Sequence, residues 1–163
     1  MRIIYTIIWT LIIIPAFGQI SRTQEKELKK QIKESTDEYS LTSKWKALNS
    51  DSVFYKSDTV TFFNHVNYAV DNGCQYVVWK FYRATEFVWS NSSVCKEPPT
   101  ETVYNNATIT KLTRERDDTL YLTTLKNGNV KDRFIVINVG RTKLMNGQES
   151  YFLKMVRERK TSR

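Results

Sequence analysis

The residue types that usually carry out acid–base, nucleophilic or metal chemistry are sparse in this chain. It contains one histidine, His65, and no group of histidine, cysteine and carboxylate residues has the spacing of a metal site. Asp117-Asp118 precedes a strand-like run, where a turn is more typical than a paired-acid site. The chain also lacks a glycine-rich phosphate loop and a nucleophile elbow. These features predict a protein that is not an enzyme and that needs no metal and no other cofactor.

The two cysteines, Cys74 and Cys95, have a chemistry that depends on the compartment. The chain begins with Arg2, an apolar run over residues 3–14 and then small residues, which is the order of a secretory signal peptide cleaved after Gly18. An uncleaved anchor is the alternative, but a bilayer span needs ~20 apolar residues. We therefore expect removal of residues 1–18 and a secreted or periplasmic protein with no membrane span. In such a compartment the two thiols pair as a disulfide.

Basic residues outnumber acidic ones, and the formal net charge of +8 falls to +7 when Arg2 is removed with the signal peptide. This balance favours contact with anionic surfaces. Nucleic acid is not the expected partner, because the chain is predicted to be exported. Four basic residues form a solvated tail that is expected to make such a contact: Arg157, Arg159, Lys160 and Arg163.

Residues 19–40 form a charged segment that reads as a solvated helix. Ser21 and Gln24 have the spacing of a capping box, and Glu25 with Lys29 has helical ion-pair spacing. Its apolar stripe is narrow, so the helix either lies weakly against the rest of the protein or acts as a spacer.

Beyond residue 40 the pattern changes to short runs of β-branched and aromatic residues separated by turn residues, which is typical of antiparallel strands. Nine runs fit: Lys44–Leu48, Val53–Tyr55, Val60–Val70, Cys74–Tyr82, Glu86–Ser90, Thr102–Leu112, Thr119–Leu125, Asp132–Val139 and Ser150–Val156.

Three Asn-Gly pairs, at residues 72–73, 127–128 and 146–147, lie between these runs. Asn and Gly tolerate the positive φ that both central positions of a tight hairpin require. Sequential hairpins favour an all-β fold, an up-and-down antiparallel β-barrel of about eight strands, because closure removes exposed strand edges. A two-sheet sandwich is the alternative, but it needs several long crossing connections.

The segment between the cysteines reads as a hairpin that turns about residues 83–85. With an even loop Cys74 lies opposite Cys95, but Trp79 and Trp89 then point to opposite faces. With a three-residue loop Trp79 lies opposite Trp89, and the disulfide needs an irregularity between Ser90 and Cys95 or a Cys95 beyond the strand. Aromatic cross-strand pairs favour the second register. We therefore expect a three-residue turn and four aromatic residues that face the barrel interior together: Trp79, Phe81, Phe87 and Trp89.

Four such aromatic residues either line a ligand cavity or fill the barrel completely. For the strand over residues 132–139, the sequence does not show which face points into the barrel. Both of its faces are apolar, so either Phe134 and Val136 or the alternate set Ile135, Ile137 and Val139 completes the lining.

The run Leu41-Thr42-Ser43-Lys44-Trp45, a first-strand tryptophan just after a helix, together with Arg157 in the last strand, resembles the lipocalin-like family, in particular small secreted bacterial members. Ser43 stands where that family usually has glycine. The resemblance covers most of the chain after residue 40 and makes residues 41–160 the barrel domain. It implies that Trp45 closes one end of the barrel, that Arg157 stacks on its ring, and that a small apolar molecule binds inside.

Two functions follow from these features. The first is a secreted lipocalin-like protein that binds a small hydrophobic ligand in a barrel cavity. The alternative is an interaction or inhibitor module with a solid core that acts through its rim loops and basic tail.

Overall fold

The computed structural model describes residues 20–36, 44–64, 73–145 and 147–158. The predicted signal peptide, His65 and the end of the basic tail lie outside the described residues. The described elements, in chain order, are α1 (Arg22–Glu34), β1 (Lys44–Leu48), a 3-10 turn (Ser50–Ser52), α2 (Val53–Lys56), β2 (Thr59–Phe63), β3 (Gln75–Arg83), β4 (Glu86–Ser93), β5 (Thr100–Arg114), β6 (Leu120–Lys126), β7 (Asn129–Lys143) and β8 (Glu149–Arg157).

The strands form one closed antiparallel barrel in the order β1-β2-β8-β7-β6-β5-β4-β3. The predicted fold, a barrel of about eight strands preceded by a helix, is therefore confirmed, and the sandwich is excluded. Strands β3 to β8 follow one another as simple hairpins. β1 lies between β2 and β3, so β2 and β3 are not paired with each other. Residues 65–72, which include the end of the predicted strand Val60–Val70 and Asn72 of the first Asn-Gly pair, lie outside the described residues, so the turn predicted there stays a prediction.

The other turns follow their sequence signals more closely. Asn127 and Gly128 have φ values of 53° and 78° and join β6 to β7 in a two-residue turn. Gly147, between β7 and β8, also has a positive φ of 78°, while its predicted partner Asn146 lies outside the described residues.

The predicted strand Val53–Tyr55 is wrong, because these residues belong to the short helix α2. Asp51 and Ser52, which precede it, both have positive φ and reverse the direction of the chain. A run of three apolar residues is too short to establish a period, so the sequence did not distinguish one helical turn from a strand. α2 lies at the end of the barrel where β4 and β8 finish, which we call the mouth.

The opposite end of the barrel carries α1. Ser21 and Gln24 form the predicted capping box. Leu28 and Ile32 are buried and belong to the same hydrophobic cluster as the barrel interior. The indole nitrogen of Trp45 donates a hydrogen bond of 3.1 Å to the Ser35 hydroxyl at the end of α1. The helix is thus part of the folded core and not a spacer.

An ion pair also attaches α1 to the barrel. The Arg114 guanidinium donates 2.9 Å hydrogen bonds to the Glu25 carboxylate and to the Ile20 carbonyl. Hydrogen bonds from Lys29 and from Arg114 hold the pKa of Glu25 below its ordinary value of 4.5. A carboxylate whose pKa is lower in the folded state stabilises the fold above the unfolded pKa, and this contribution is lost as the pH falls through the folded pKa.

We expect Glu25→Gln to lower the free energy of unfolding by up to about 1 kcal/mol at pH 7. The difference from the wild type should shrink as the pH falls below about 4.5 and vanish once Glu25 is protonated in both states. Urea unfolding at a series of pH values measures this. Glu34→Gln, at an exposed helical pair, is the matched control and should show little effect. A Glu25→Gln deficit that is the same at pH 3 and pH 7 would contradict the assignment.

Aromatic rings pack on one another in the middle of the barrel. The ring centroid of Trp79 lies 4.2 Å from Phe62, 4.7 Å from Phe87 and 6.2 Å from Phe134. All four side chains are at most 2% exposed. Rings at these distances occupy the space that a central ligand would need, so this part of the interior is filled.

Strand β7 resolves the question of which face points inward. Phe134 and Val136 are buried, and a bulge between Val136 and Asn138 shifts the register so that Val139 is buried as well. The residues that face the interior therefore come from both predicted sets: Phe134 and Val136 from one, and Val139 from the other. The bulge inserts one extra residue and so shifts the alternation by one position.

Candidate ligand pocket at the barrel mouth

The hairpin of β3 and β4 has the predicted odd register. Trp79 pairs with Trp89 and Phe81 pairs with Phe87. The turn itself differs from the prediction, because Arg83 pairs with Glu86 across a two-residue turn and an irregularity between Phe81 and Arg83 supplies the third residue. The register is the one that opposed aromatic pairs favour, and the irregularity before Arg83 makes it compatible with a two-residue turn.

The predicted disulfide between Cys74 and Cys95 is formed, with the two Cα atoms 5.1 Å apart. β4 pairs regularly with β3 as far as Ser93, and the Val94 amide donates a 2.9 Å hydrogen bond to the Cys74 carbonyl. Cys95 is thus one position beyond the residue opposite Cys74 and lies past the end of the strand. This is one of the two arrangements that the sequence allowed.

The four hairpin aromatics are all buried, but they do not share one environment. Trp79, Phe81 and Phe87 contact one another in the middle of the barrel. Trp89, which is 8% exposed, lies closer to the mouth and lines a cavity of about 300 Å³. Of the four predicted ligand-contacting residues, Trp89 is therefore the one placed at this open cavity.

Six different elements contribute to this cavity, which we call the mouth pocket. Tyr55 comes from α2, and Trp89 and Tyr104 come from β4 and β5. Lys126 ends β6. The remaining lining residues are Thr108 on β5, Lys131 and Asp132 at the start of β7, and Arg157 at the end of β8. Three of the eight lining residues are aromatic, one is a threonine and four are charged, so the pocket combines an aromatic surface with several polar groups. Apolar surface together with placed polar groups is typical of a small-molecule site.

Contacts within the mouth pocket hold its aromatic wall in place. The rings of Tyr55 and Trp89 are nearly parallel, with centroids 6.2 Å apart and an interplanar angle of 10°. The Tyr55 hydroxyl donates a 3.3 Å hydrogen bond to the Asn91 side-chain oxygen, and the Asn91 amide donates a 3.1 Å bond to the Tyr104 hydroxyl. Asn91 therefore connects the two tyrosines, each of which is 47% exposed.

Arg157 joins the barrel to α2 beneath the pocket. Its guanidinium carbon lies 5.2 Å from the Phe54 ring centroid and 4.9 Å from that of Phe134. It pairs with the Asp132 carboxylate and donates a 3.2 Å hydrogen bond to the Phe54 carbonyl. These contacts keep Tyr55, the residue after Phe54, beside Trp89.

Lys131 covers part of the aromatic wall. Its ammonium nitrogen lies 3.2 Å from the centroid of the Trp89 ring, a cation–π contact. The residue as a whole is exposed, but its ammonium is partly withdrawn from water, and this burial lowers the pKa of Lys131. The pocket thus contains an ammonium group whose charge is incompletely solvated.

Two residues of the pocket lining also carry a buried donor without a protein acceptor among the described residues: the indole N–H of Trp89 and the Nε–H of Arg157. An unsatisfied buried donor costs about 1 to 3 kcal/mol. The indole N–H of Trp79 is also unsatisfied, but it lies in the packed interior.

The predicted contact between Trp45 and Arg157 is not formed. The Trp45 ring packs edge-on against Tyr151, with centroids 6.0 Å apart, at the end of the barrel covered by α1. Arg157 lies next to Asp58, where β2 begins. Register places Trp45 near the other end of β2, because Lys46 pairs with Phe63. Trp45 and Arg157 therefore occupy opposite ends, each with its own aromatic partners.

Sequence reasoning missed Tyr55, Tyr104 and Lys131 as pocket residues. Tyr55 was assigned to a strand, and Tyr104 lies next to a register shift in β5 that alternation cannot reveal. Lys131 follows the Asn-Gly turn by three positions, which would have placed it at a barrel rim but not over a tryptophan.

Comparison of the chain with protein-family models, curated proteins and solved structures finds no match. Across the described residues, no group of three or more His, Cys, Asp and Glu side chains is arranged to hold a metal ion. Within the same part of the chain, no helix has the length and apolar character needed to cross a bilayer.

Proposed function

We propose that this protein binds a small, largely apolar molecule, and that the ligand occupies the mouth pocket and not the middle of the barrel. The observation that carries the proposal is the pocket itself, a cavity of about 300 Å³ with Tyr55, Trp89 and Tyr104 in its wall. Small-molecule sites commonly have volumes of roughly 300 to 1,000 Å³. Stacking on planar aromatic rings favours a ligand with a flat or apolar body.

Two further features support an exported lipocalin-like binding protein. The barrel architecture agrees with what the resemblance around Trp45 implies, although β1 and β2 are exchanged relative to a simple meander. The disulfide is of the kind that persists outside the cytoplasm. Together with the apolar segment over residues 3–14, it favours a secreted or periplasmic protein.

A neutral polarity-sensitive dye, N-phenyl-1-naphthylamine, tests the binding function. We expect a saturable rise in its fluorescence on addition of the protein. Tyr55→Ala should weaken binding about tenfold or more, since it removes one aromatic wall. Tyr82→Ala, at a partly buried tyrosine near the hairpin turn, is the matched control and should bind as the wild type does.

Absence of dye binding by a protein whose circular dichroism shows an intact fold would overturn the proposed function. Binding that is equal in the wild type, Tyr55→Ala and Tyr82→Ala would locate the ligand elsewhere.

The interaction module is the second candidate, and one observation favours it. Val103, Tyr104 and Val130, close to the mouth, are 46% to 50% exposed. Val103 and Tyr104 lie on opposite faces of β5, so the rim offers apolar contact area to a partner both inside and outside the pocket. In that function the mouth pocket would receive a side chain of a partner, and the free dye would not bind in a saturable way.

A further inference from the structure

We infer that the ligand of the mouth pocket is an amphipathic anion, an apolar or aromatic body that carries a carboxylate or a similar acidic group. This inference rests on the proposed function and concerns the same pocket. Its basis is the charge of the lining and the position of the Lys131 ammonium on the Trp89 ring.

The lining of the mouth pocket has three cationic side chains and one carboxylate. Arg157 and Asp132 neutralise each other through their ion pair. Lys126 and Lys131 have no carboxylate within ion-pair distance among the described residues, so two positive charges are left over. A concave site of one charge sign concentrates ligands of the opposite sign.

The position of Lys131 strengthens this argument. The contact with the Trp89 face holds its ammonium partly out of bulk water, and the nearby Asp132 carboxylate that acts on it is already paired with Arg157. Desolvation of a charge is offset when an opposite charge approaches. A ligand anion beside Lys131 would therefore be favoured over a neutral group of the same size.

The donors of the lining favour the same ligand class. A carboxylate offers only hydrogen-bond acceptors, which suits the ammonium groups of Lys126 and Lys131. Hydrogen bonds to an ionised acceptor are about twice as strong as those between neutral groups. An ammonium ligand would offer only donors and would also meet two uncompensated lysines.

A cationic ligand is the alternative that the experiment must test, because the contact of the Lys131 ammonium with Trp89 shows that this ring can hold a cation. A cationic ligand could displace Lys131 and take its place on the ring. Asp132 would then be its counter-charge. The experiment therefore compares three probes that share one aromatic body and differ in charge.

The probes are 2-naphthoate, 2-naphthalenemethanol and 2-naphthylmethylamine, each titrated as a competitor of N-phenyl-1-naphthylamine on the purified protein. We expect 2-naphthoate to bind at least tenfold more tightly than the alcohol, and the amine to bind most weakly. The advantage of the anion should fall as salt is raised, since part of it is electrostatic. Lys131→Met should remove most of that advantage, measured as the ratio of the 2-naphthoate and 2-naphthalenemethanol affinities within the same variant. Lys143→Met, at an exposed lysine at the far end of β7, is the matched control and should leave all three affinities unchanged.

The outcomes separate the two proposals. If the dye itself does not bind, the proposed function fails. If the dye binds and the three probes compete equally, or none of them competes, the inference fails and the binding function stands. Tightest binding of the amine would also overturn the inference and would identify the pocket as an aromatic site for cations. An anion preference that survives unchanged in Lys131→Met would contradict the role given to Lys131.

Discussion

Trp79→Ala is expected to lower the free energy of unfolding by about 3 to 5 kcal/mol, the usual cost of truncating a large aromatic residue in a packed core. Trp79 is 2% exposed, and its ring is surrounded by Phe62, Phe87 and Phe134. Removal of the indole leaves a cavity that neighbours from several strands cannot close. Since small domains are stable by only about 5 to 15 kcal/mol, the effect is a large part of the total. Urea unfolding followed by circular dichroism measures it.

Trp79→Phe is the control for this experiment. It keeps an aromatic ring in the same place and should cost clearly less than the alanine substitution. The slope of the unfolding free energy against urea should be similar in both variants, which shows that stability and not the extent of unfolding has changed. A loss below about 1 kcal/mol for Trp79→Ala would mean that the middle of the barrel is not packed.

The same variant separates a filled barrel from a hollow one. If Trp79 lined the ligand cavity, its truncation would change ligand affinity at least as much as stability. Because Trp79 packs against other rings and the cavity lies at Trp89, we expect Trp79→Ala to bind N-phenyl-1-naphthylamine nearly as the wild type does, under conditions in which it is folded.

Loss of the Cys74–Cys95 disulfide should have the next largest effect. The cysteines are 21 residues apart, and a loop of this length corresponds to about 3 kcal/mol of stabilisation in the chain-entropy description. We expect the free energy of unfolding of the double variant with Cys74→Ser and Cys95→Ser to be lower by about that amount, so that it unfolds at a lower urea concentration. Thermal unfolding of the wild type with and without dithiothreitol gives an independent measurement.

The double serine variant provides its own control, since dithiothreitol should not change its unfolding. Mass spectrometry of the unreduced wild type should show two hydrogens fewer than the thiol form. Equal stability of the wild type with and without reductant, once reduction has been verified by mass, would contradict a stabilising role for the bond.

Most of the strands and the register of the central hairpin could be predicted from the amino-acid sequence. β1 has the bounds that the pattern predicted, and β8 extends the predicted run by one residue at each end. Asn127-Gly128 forms its two-residue turn. The pairing of Trp79 with Trp89 was predicted because opposed aromatic pairs favour it, although the turn has two residues and not three. These features depend on residues close together in the chain, where side-chain alternation and turn chemistry act directly.

Three features could not be predicted and became evident in the folded protein: the position of β1 between β2 and β3, the helical form of residues 53–56 and the bulge in β7. Each depends on contacts between segments far apart in the sequence or on an extra residue that leaves the hydrophobic pattern almost unchanged.

The mouth pocket is the clearest example of this limit. Its lining residues lie between positions 55 and 157 of the sequence, on six elements, and they come together only when these elements pack into the barrel. The sequence identified aromatic residues able to face a ligand. The packing of the barrel placed Trp79 in the filled interior and Trp89 at the open end, because the rings that occupy the centre come from strands that local patterns do not bring together.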